Sequence, residues 1–273
     1  MRKLRQFIFR VVHSCPERKA SRELLAAARS GQTEQYLALA AKYTDLAHAY
    51  FGNSLHENRQ IRHDRVGQIF TALWQHLPYT ERLSDFEYLL AASMIENTPE
   101  QGVLHSENPL VTRIRLLSPR VRFAFIAYEF ERWSPRWLSL VMRCKPDALH
   151  RLLSEARCEL CGVSWDSLCQ EERDCLQDVS TSIDASPNLR FNKALSARVA
   201  SYPRVSQIKA QWLELRPELV EIRHRYIPDQ VEREVILNRI LTDISSTRMQ
   251  HPPFMTRVFN TVRFSRHGTI KVS

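Results

Sequence analysis

The chain has 273 residues, 44% of them hydrophobic, which is long enough for two or three small domains with cores. With only 6 glycines and little alternating β-branched pattern, the composition excludes a β-rich fold. The net charge of +9 is concentrated at the two ends of the chain, which favours either a nucleic-acid partner or solvated, flexible ends.

The N-terminal segment is basic but predicts neither a signal peptide nor a membrane span. Residues 1–30 contain eight Lys or Arg against two acids, and Arg10 interrupts the short apolar patch. No apolar run approaches the roughly 20 residues that cross a bilayer. We therefore expect a cytoplasmic protein without a membrane partner.

Residues 21–97 are predicted to form an all-α N-terminal bundle. Its expected elements are one or two helices over 21–51 broken at Gly31, a helix led by Asp64 and ended by Pro78, and a helix from about Ser84 to Ile95. Phe70 and Trp74 lie at the spacing of a buried helical stripe, so the spacing alone favours a role in the core.

A helix-turn-helix domain is predicted at 113–162. Ser134 followed by Pro135 indicates one helix start, and Pro146 with Asp147 in the first turn indicates another. The second helix is apolar on one side and partly basic on the other, as a helix inserted into a major groove would be. A plain helical hairpin has the same pattern, and spacing does not separate the two.

Without a gap, 117–160 resembles the promoter-reading C-terminal domain of bacterial sigma factors of the extracytoplasmic-function group. The matching positions are mainly apolar or arginine: Leu117, Pro119, Arg120, Arg122, Phe125, Ile126, Ser134, Leu138, Val141, Leu149, Leu153, Ala156, Arg157 and Leu160. The resemblance implies binding of promoter DNA. The residues expected to contact it are polar or small positions on the outward side: Lys145, Ala148, His150, Arg151, Ser154 and Arg157.

Two departures from the family pattern affect the turn and the first helix. Arg143 stands where the family has a glycine, so the turn either lacks a left-handed residue or strains an arginine into that conformation. Arg136 and Trp137 replace the usual acidic residues of the first helix.

The N-terminal bundle resembles the same family more loosely. Asp64, the pair Ile69-Phe70 and the pair Leu73-Trp74 match the register of the sigma helix that docks on RNA polymerase. The resemblance therefore implies that Asp64, Phe70 and Trp74 bind RNA polymerase core. The basic helix that opens promoters in the family has no counterpart after Asn97, because no Lys or Arg follows until Arg113.

The C-terminal third is predicted to be a connector, a helical extension and a basic tail. The connector covers 161–187, the extension 187–247 and the tail 248–273. In the extension Pro217 interrupts an a/d seam, so we expect a kink or a division near Arg216.

The extension faintly resembles the cytoplasmic domain of anti-sigma factors. Arg198, Tyr202 and Val205 occupy the positions of the zinc ligands of that family, so no metal site is expected there. The resemblance implies intramolecular regulation by the C-terminal helices. A helical extension that simply packs on the core is the alternative.

The cysteines and the search for catalytic motifs provide little evidence for a metal site or for an enzyme. Cys158, Cys161, Cys169 and Cys175 could supply four thiolates to zinc, but their spacing is not that of a standard zinc knuckle, and idle thiols are the more ordinary interpretation. No phosphate loop, nucleophile elbow or HExxH pair occurs, so we expect neither catalysis nor a cofactor.

Three hypotheses of function remain open from the sequence. The first is a sigma-like transcription initiation protein that binds promoter DNA and docks on polymerase. The second is a DNA-binding regulator that lacks promoter-opening activity. The third is a sigma/anti-sigma type interaction module in which the C-terminal helices are the working part.

Overall fold

The computed structural model describes residues 18–52, 58–98, 108–184 and 189–246, and the regular structure in these ranges is entirely helical. The all-α prediction is therefore confirmed. The helices in chain order are α1 (18–29), α2 (Thr33–Ala41), α3 (Thr44–Gly52), α4 (Arg59–His76), α5 (Leu83–Glu96), α6 (Pro109–Leu116), α7 (Pro119–Glu129), α8 (Pro135–Val141), α9 (Pro146–Leu160), α10 (Gln170–Asp184), α11 (Leu189–Ala200), α12 (Pro203–Tyr226) and α13 (Gln230–Ser246). Short 3₁₀ turns follow α4 at Leu77–Tyr79 and α9 at Trp165–Ser167.

Local capping accounts for several of the helix starts. Ser134 Oγ accepts a hydrogen bond from the Trp137 backbone N–H, at 3.4 Å, and Pro135 occupies the first position of α8. The prediction that Asp64 leads α4 is wrong. Asn58 is the N-cap, and its Oδ1 accepts from the backbone N–H of Gln60 and Ile61, so α4 begins at Arg59, five residues before Asp64.

One prediction for the C-terminal third is also wrong. Most of the expected connector is a helix, α10, which packs on α9 and buries Cys175, Leu176 and Val179. Pro217 does not divide α12, which continues as one helix from Pro203 to Tyr226. The buried side chains of Trp212 and Leu219 lie on either side of the proline and hold both halves against the core, which offsets the missing backbone hydrogen bond.

One continuous hydrophobic core runs through all the described helical segments. Helix α7, from the predicted helix-turn-helix domain, packs on α3 and α5 of the N-terminal bundle as well as on α9. Helix α12 contacts α3 and α9, and α13 lies along α4 and α2. The boundaries predicted from sequence therefore do not separate independent cores, and the basic tail 248–273 lies outside the described residues.

A buried arginine joins α6 to α7. The Arg122 guanidinium, 4% exposed, donates to the backbone carbonyls of Ile114 (3.1 Å), Arg115 (2.5 Å) and Leu117 (2.7 Å) at the end of α6. The last carbonyls of a helix lack the i+4 N–H partner that interior carbonyls have, and a cation is favourable beside them because of the helix dipole. One side chain thus sets the angle at which α7 leaves α6. None of the described helices is long and apolar enough to cross a membrane.

Candidate nucleic-acid interface

Helices α8 and α9 lie where the two helices of the predicted helix-turn-helix begin and end, joined by residues 142–145. Arg143 in this connection has φ = +48°, so an arginine does occupy the left-handed conformation at the position of the family glycine. Its guanidinium lies 3.6 Å from the centre of the Tyr88 ring and 3.8 Å from the Asp85 carboxylate. These two contacts to α5 offset the backbone strain and tie the turn to the N-terminal bundle.

The N-terminal half of α9 presents an exposed cationic edge. Lys145, Ala148 and Arg151 are exposed, as expected for residues that contact a duplex, and His150 is half-buried. The exposed Asp147 lies between them in the first turn. The accessible part of the predicted contact set is therefore limited to the start of the helix, the part that meets base edges in groove-binding helices.

The prediction that Ser154 and Arg157 face outward is wrong. Ser154 is fully buried, and its hydroxyl donates to the His150 carbonyl within the same helix, at 2.8 Å. The Arg157 side chain is 3% exposed and pairs with Glu129 of α7 at 2.8 Å. It also donates to the Ser180 carbonyl and lies over the Trp212 ring. Helices α7, α10 and α12 surround the C-terminal half of α9, which leaves no room there for a duplex.

A cleft rich in arginine adjoins the turn. It has a volume of about 720 Å³ and lies beside α8, with Arg18, Arg136 and Arg143 in its lining. A second cleft, of about 450 Å³, shares the side chains of Trp137 and Leu140 with the first. The cationic residues that line the second cleft are Arg22, Arg29 and Arg82.

We call these two adjoining clefts the arginine cleft. Its lining contains one acidic residue, Glu81, against six arginines, so its electrostatic potential favours a polyanion. Sequence does not identify the arginines of α1, or Arg82 just before α5, as site residues. The α1 arginines belong to the excess of Lys and Arg in residues 1–30, which sequence could not assign to a surface.

A buried carboxylate connects this surface to the core. Glu87 of α5 accepts hydrogen bonds from the Tyr43 hydroxyl (2.8 Å) and from the Trp137 indole N–H (2.7 Å). Burial raises the pKa of Glu87 to about 7, and the two hydrogen bonds and nearby arginines oppose that shift. Trp137 belongs to α8 and also lines the arginine cleft. Its hydrogen bond to the buried Glu87 therefore helps to fix the position of α8 beside the cleft.

The residues expected to bind polymerase are not grouped on a free surface. Phe70 and Trp74 are 0% and 6% exposed, and the Trp74 ring packs 5.0 Å from the Tyr36 ring between α4 and α2. Asp64 is half-buried and lies 3.9 Å from the guanidinium of Arg239 on α13. The assignment of Phe70 and Trp74 as surface contacts is wrong, because both side chains belong to the core.

The four cysteines considered for zinc do not converge. The Cys158 thiol is directed to the Val163 carbonyl at 3.0 Å and the Cys161 thiol to the Ile208 carbonyl at 3.5 Å, whereas Cys169 is exposed. Burial raises the pKa of Cys158 to about 12 and that of Cys161 to about 11, which disfavours the thiolates that zinc requires. Within the described ranges, none of these thiols belongs to a group with the spacing of a metal site.

The start of α9, the turn and the arginine cleft thus form one cationic surface, whereas α4 is covered by α13. Comparison of the chain with protein-family models, curated proteins and solved structures gave no significant match.

Proposed function

We propose that the chain is a regulator that binds duplex DNA through α8 and α9. The observation that carries the proposal is the continuity of two cationic features through one turn. Arg143 lines the arginine cleft, and Lys145, two residues later, begins the exposed edge of α9. In groove-binding helix pairs the second helix enters the groove while the first crosses the phosphate backbone.

In this arrangement the residues have different roles. Lys145, Ala148 and Arg151 meet the groove, with Ala148 offering a small apolar contact such as a thymine methyl accepts. Arg136 at the start of α8 and the α1 arginines of the cleft neutralise phosphates. The sequence has no Lys or Arg between Asn97 and Arg113, where the family has the basic helix that opens promoters, so binding without promoter opening is the activity that we propose.

The test is the salt dependence of binding to fluorescent duplexes. We expect Lys145→Ala combined with Arg151→Ala, and separately Arg136→Ala, to weaken binding, and each lost phosphate contact to reduce the slope of log affinity against log salt by about 0.9. Arg225→Ala, which removes an exposed arginine from α12, is the matched control and should leave the slope unchanged. If the Lys145→Ala/Arg151→Ala and Arg136→Ala variants have the same salt slope as the unmodified chain, the assigned surface is ruled out.

A second candidate is sigma-type transcription initiation held in a closed state by the C-terminal helices. It is favoured by the position of α13, which lies along α4, the helix that the family resemblance links to polymerase. Arg239 packs its Cγ 3.1 Å from the point where a Cβ of Gly67 would be, and its guanidinium faces Asp64. In this proposal α13 must leave α4 before polymerase can dock.

Capture by RNA polymerase core tests the second candidate. Arg239→Glu places an acid beside Asp64 and Asp243, so it should loosen α13 and increase capture relative to the unmodified chain. Arg225→Glu, the matched charge reversal on α12, should not change it. If DNA binding is retained but neither the unmodified chain nor Arg239→Glu is captured, the regulator without polymerase contact is the remaining function.

A further inference from the structure

Two buried histidines and one carboxylate meet between α3, α4 and α13. They are His48, His63 and Glu232, and one potential ligand atom of each lies within 4.8 Å of those of the other two. Two ligands bound to one zinc ion at about 2.1 Å and at tetrahedral angles are about 3.4 Å apart. The three ligand atoms therefore need to approach one another by about 1.4 Å at most to share an ion.

The hydrogen bonding of His48 leaves one ring nitrogen ready for a Lewis acid. His48 is 1% exposed, and its Nδ1 lies 2.7 Å from the Tyr226 backbone carbonyl. A carbonyl can only accept, so Nδ1 carries the proton and donates it, which leaves a lone pair on Nε2. Among the described residues this buried Nε2 has no hydrogen-bond partner. Metal-bound histidines characteristically donate their other N–H to a carbonyl or carboxylate.

The other two ligands face the same point. His63 Nε2 is also buried without a hydrogen-bond partner in the described part of the chain, and it lies 3.7 Å from Glu232 Oε1. Glu232 is held in orientation by its second oxygen, which accepts from the Asp229 backbone N–H at 3.1 Å. That bond forms half of a capping box with the Asp229 side chain, so the start of α13 fixes the carboxylate toward the histidines.

The surrounding charges permit a divalent cation at this point. Both histidines are buried, and desolvation lowers the pKa of each, which favours the neutral imidazole that binds a metal ion. Arg59 lies 3.7 Å from Glu232 Oε1, but its side chain is 75% exposed and can move into solvent. Arg62 is buried over the Tyr226 ring, at 5.4 Å, and its charge acts on both histidines, so the Glu232 carboxylate is needed to offset it when a cation binds.

We propose that His48, His63 and Glu232 form a site for Zn²⁺ that fastens α13 to α3 and α4. Two imidazoles and one carboxylate are an established ligand set for zinc, and three protein ligands leave a fourth position for water. The site does not depend on DNA binding. It gives the C-terminal helix a metal-dependent attachment to the helix that it covers.

The experiment titrates Co²⁺, as a spectroscopic substitute for Zn²⁺, into the full chain after removal of metals with a chelator. We expect equimolar binding with d–d absorption in the visible and no thiolate-to-cobalt charge-transfer band, because no cysteine is a ligand. Zn²⁺ should displace the Co²⁺ and raise the midpoint of thermal unfolding.

Variants locate the site. Glu232→Gln keeps the capping box but removes the charged ligand, and His63→Gln removes an imidazole. Each should weaken Co²⁺ binding by about a hundred-fold or more, since loss of an outer-shell partner alone weakens binding by about 10- to 100-fold. Glu234→Gln on the same helix and His224→Gln on α12 are exposed controls and should bind as the unmodified chain does. Far-UV circular dichroism establishes that each variant is folded.

Three outcomes would overturn the proposal. They are an unmodified chain that binds no Co²⁺, a charge-transfer band that identifies cysteine ligands, and folded Glu232→Gln and His63→Gln variants that bind with unchanged affinity.

Discussion

Arg157 illustrates how burial changes the role of a charged side chain. Sequence places it on the polar side of α9, but in the structure it pairs with Glu129 and contacts Trp212. An ion pair removed from water is favourable only when its geometry and remaining hydrogen bonds are good, and loss of one partner leaves the other charge buried and unpaired. Arg157 is therefore a structural residue that joins α9 to α7 and α10.

We expect Arg157→Ala to lower the free energy of unfolding by about 3 kcal/mol or more, because Glu129 and the Ser180 carbonyl lose their partner. Denaturant unfolding measures the change. Arg151→Ala, which truncates an exposed arginine of the same helix, should change it by about 0.5 kcal/mol at most. Similar stabilities for the two variants would contradict the structural role of Arg157.

Glu87 gives a residue-scale prediction that depends on pH. Burial raises its pKa from 4.5 to about 7 in the folded chain, so the folded state binds a proton more tightly than the unfolded state. Its contribution to stability is fully present below about pH 4.5 and is lost as the pH rises through 7. Glu87→Gln removes this titration, and its amide can accept from Trp137 and donate to the Tyr43 hydroxyl.

The stability of Glu87→Gln relative to the unmodified chain should therefore increase between pH 4.5 and 7, by about 3 kcal/mol at most. Denaturant unfolding of both proteins across this range measures the difference. The comparison also cancels the titration of Glu131, whose pKa burial raises to about 7 as well. A constant difference across the range would show that Glu87 does not titrate there.

At the scale of the elements, two helix–helix contacts are made at glycines, and the group that faces the glycine differs between them. Gly52, in the last turn of α3, receives the Tyr226 ring of α12 so closely that a Cβ would overlap it. Gly67 of α4 instead faces Arg239 of α13, a flexible side chain that can move. The α3–α12 contact is therefore rigid, and the α4–α13 contact is adjustable.

We expect Gly52→Ala to destabilise the chain by about 1–3 kcal/mol, because the ring and the backbone around it must shift to make room. Gly67→Ala is the matched control. It gains roughly 0.5–1 kcal/mol of helix propensity against a small displacement of Arg239, so it should be neutral or stabilising. Thermal unfolding distinguishes the two, and equal destabilisation would mean that both contacts are rigid.

Several elements were predictable because their signals are local. Ser134-Pro135 and Pro146 mark the starts of α8 and α9 from within one turn of the chain, and the start of α5 was placed within one residue. Helix α10 was missed because its composition is mainly polar, although Leu176, Val179 and Ile183 recur at helical spacing in the sequence. It buries one face against α9, and its stability comes from that packing.

At the scale of the whole molecule, the C-terminal helices determine which surfaces remain free. Helix α13 lies along α4, and α12 contacts α3 and α9, so the extension is part of the common core. The cationic start of α9 and the arginine cleft remain open, whereas the helix linked to polymerase is covered. This distribution is why DNA binding is the better supported function of the two that we propose.

The sequence by itself determined the helical class, several helix starts and the excess of basic residues, because caps, proline and glycine act on their immediate neighbours and charge counts need no fold. Only the tertiary structure decided which polar residues of α9 are accessible, that Phe70 and Trp74 are core, and that His48, His63 and Glu232 meet. Glu232 is separated from the two histidines by more than 160 residues along the chain. Burial and convergence of this kind depend on how distant helices pack, and no local pattern encodes that.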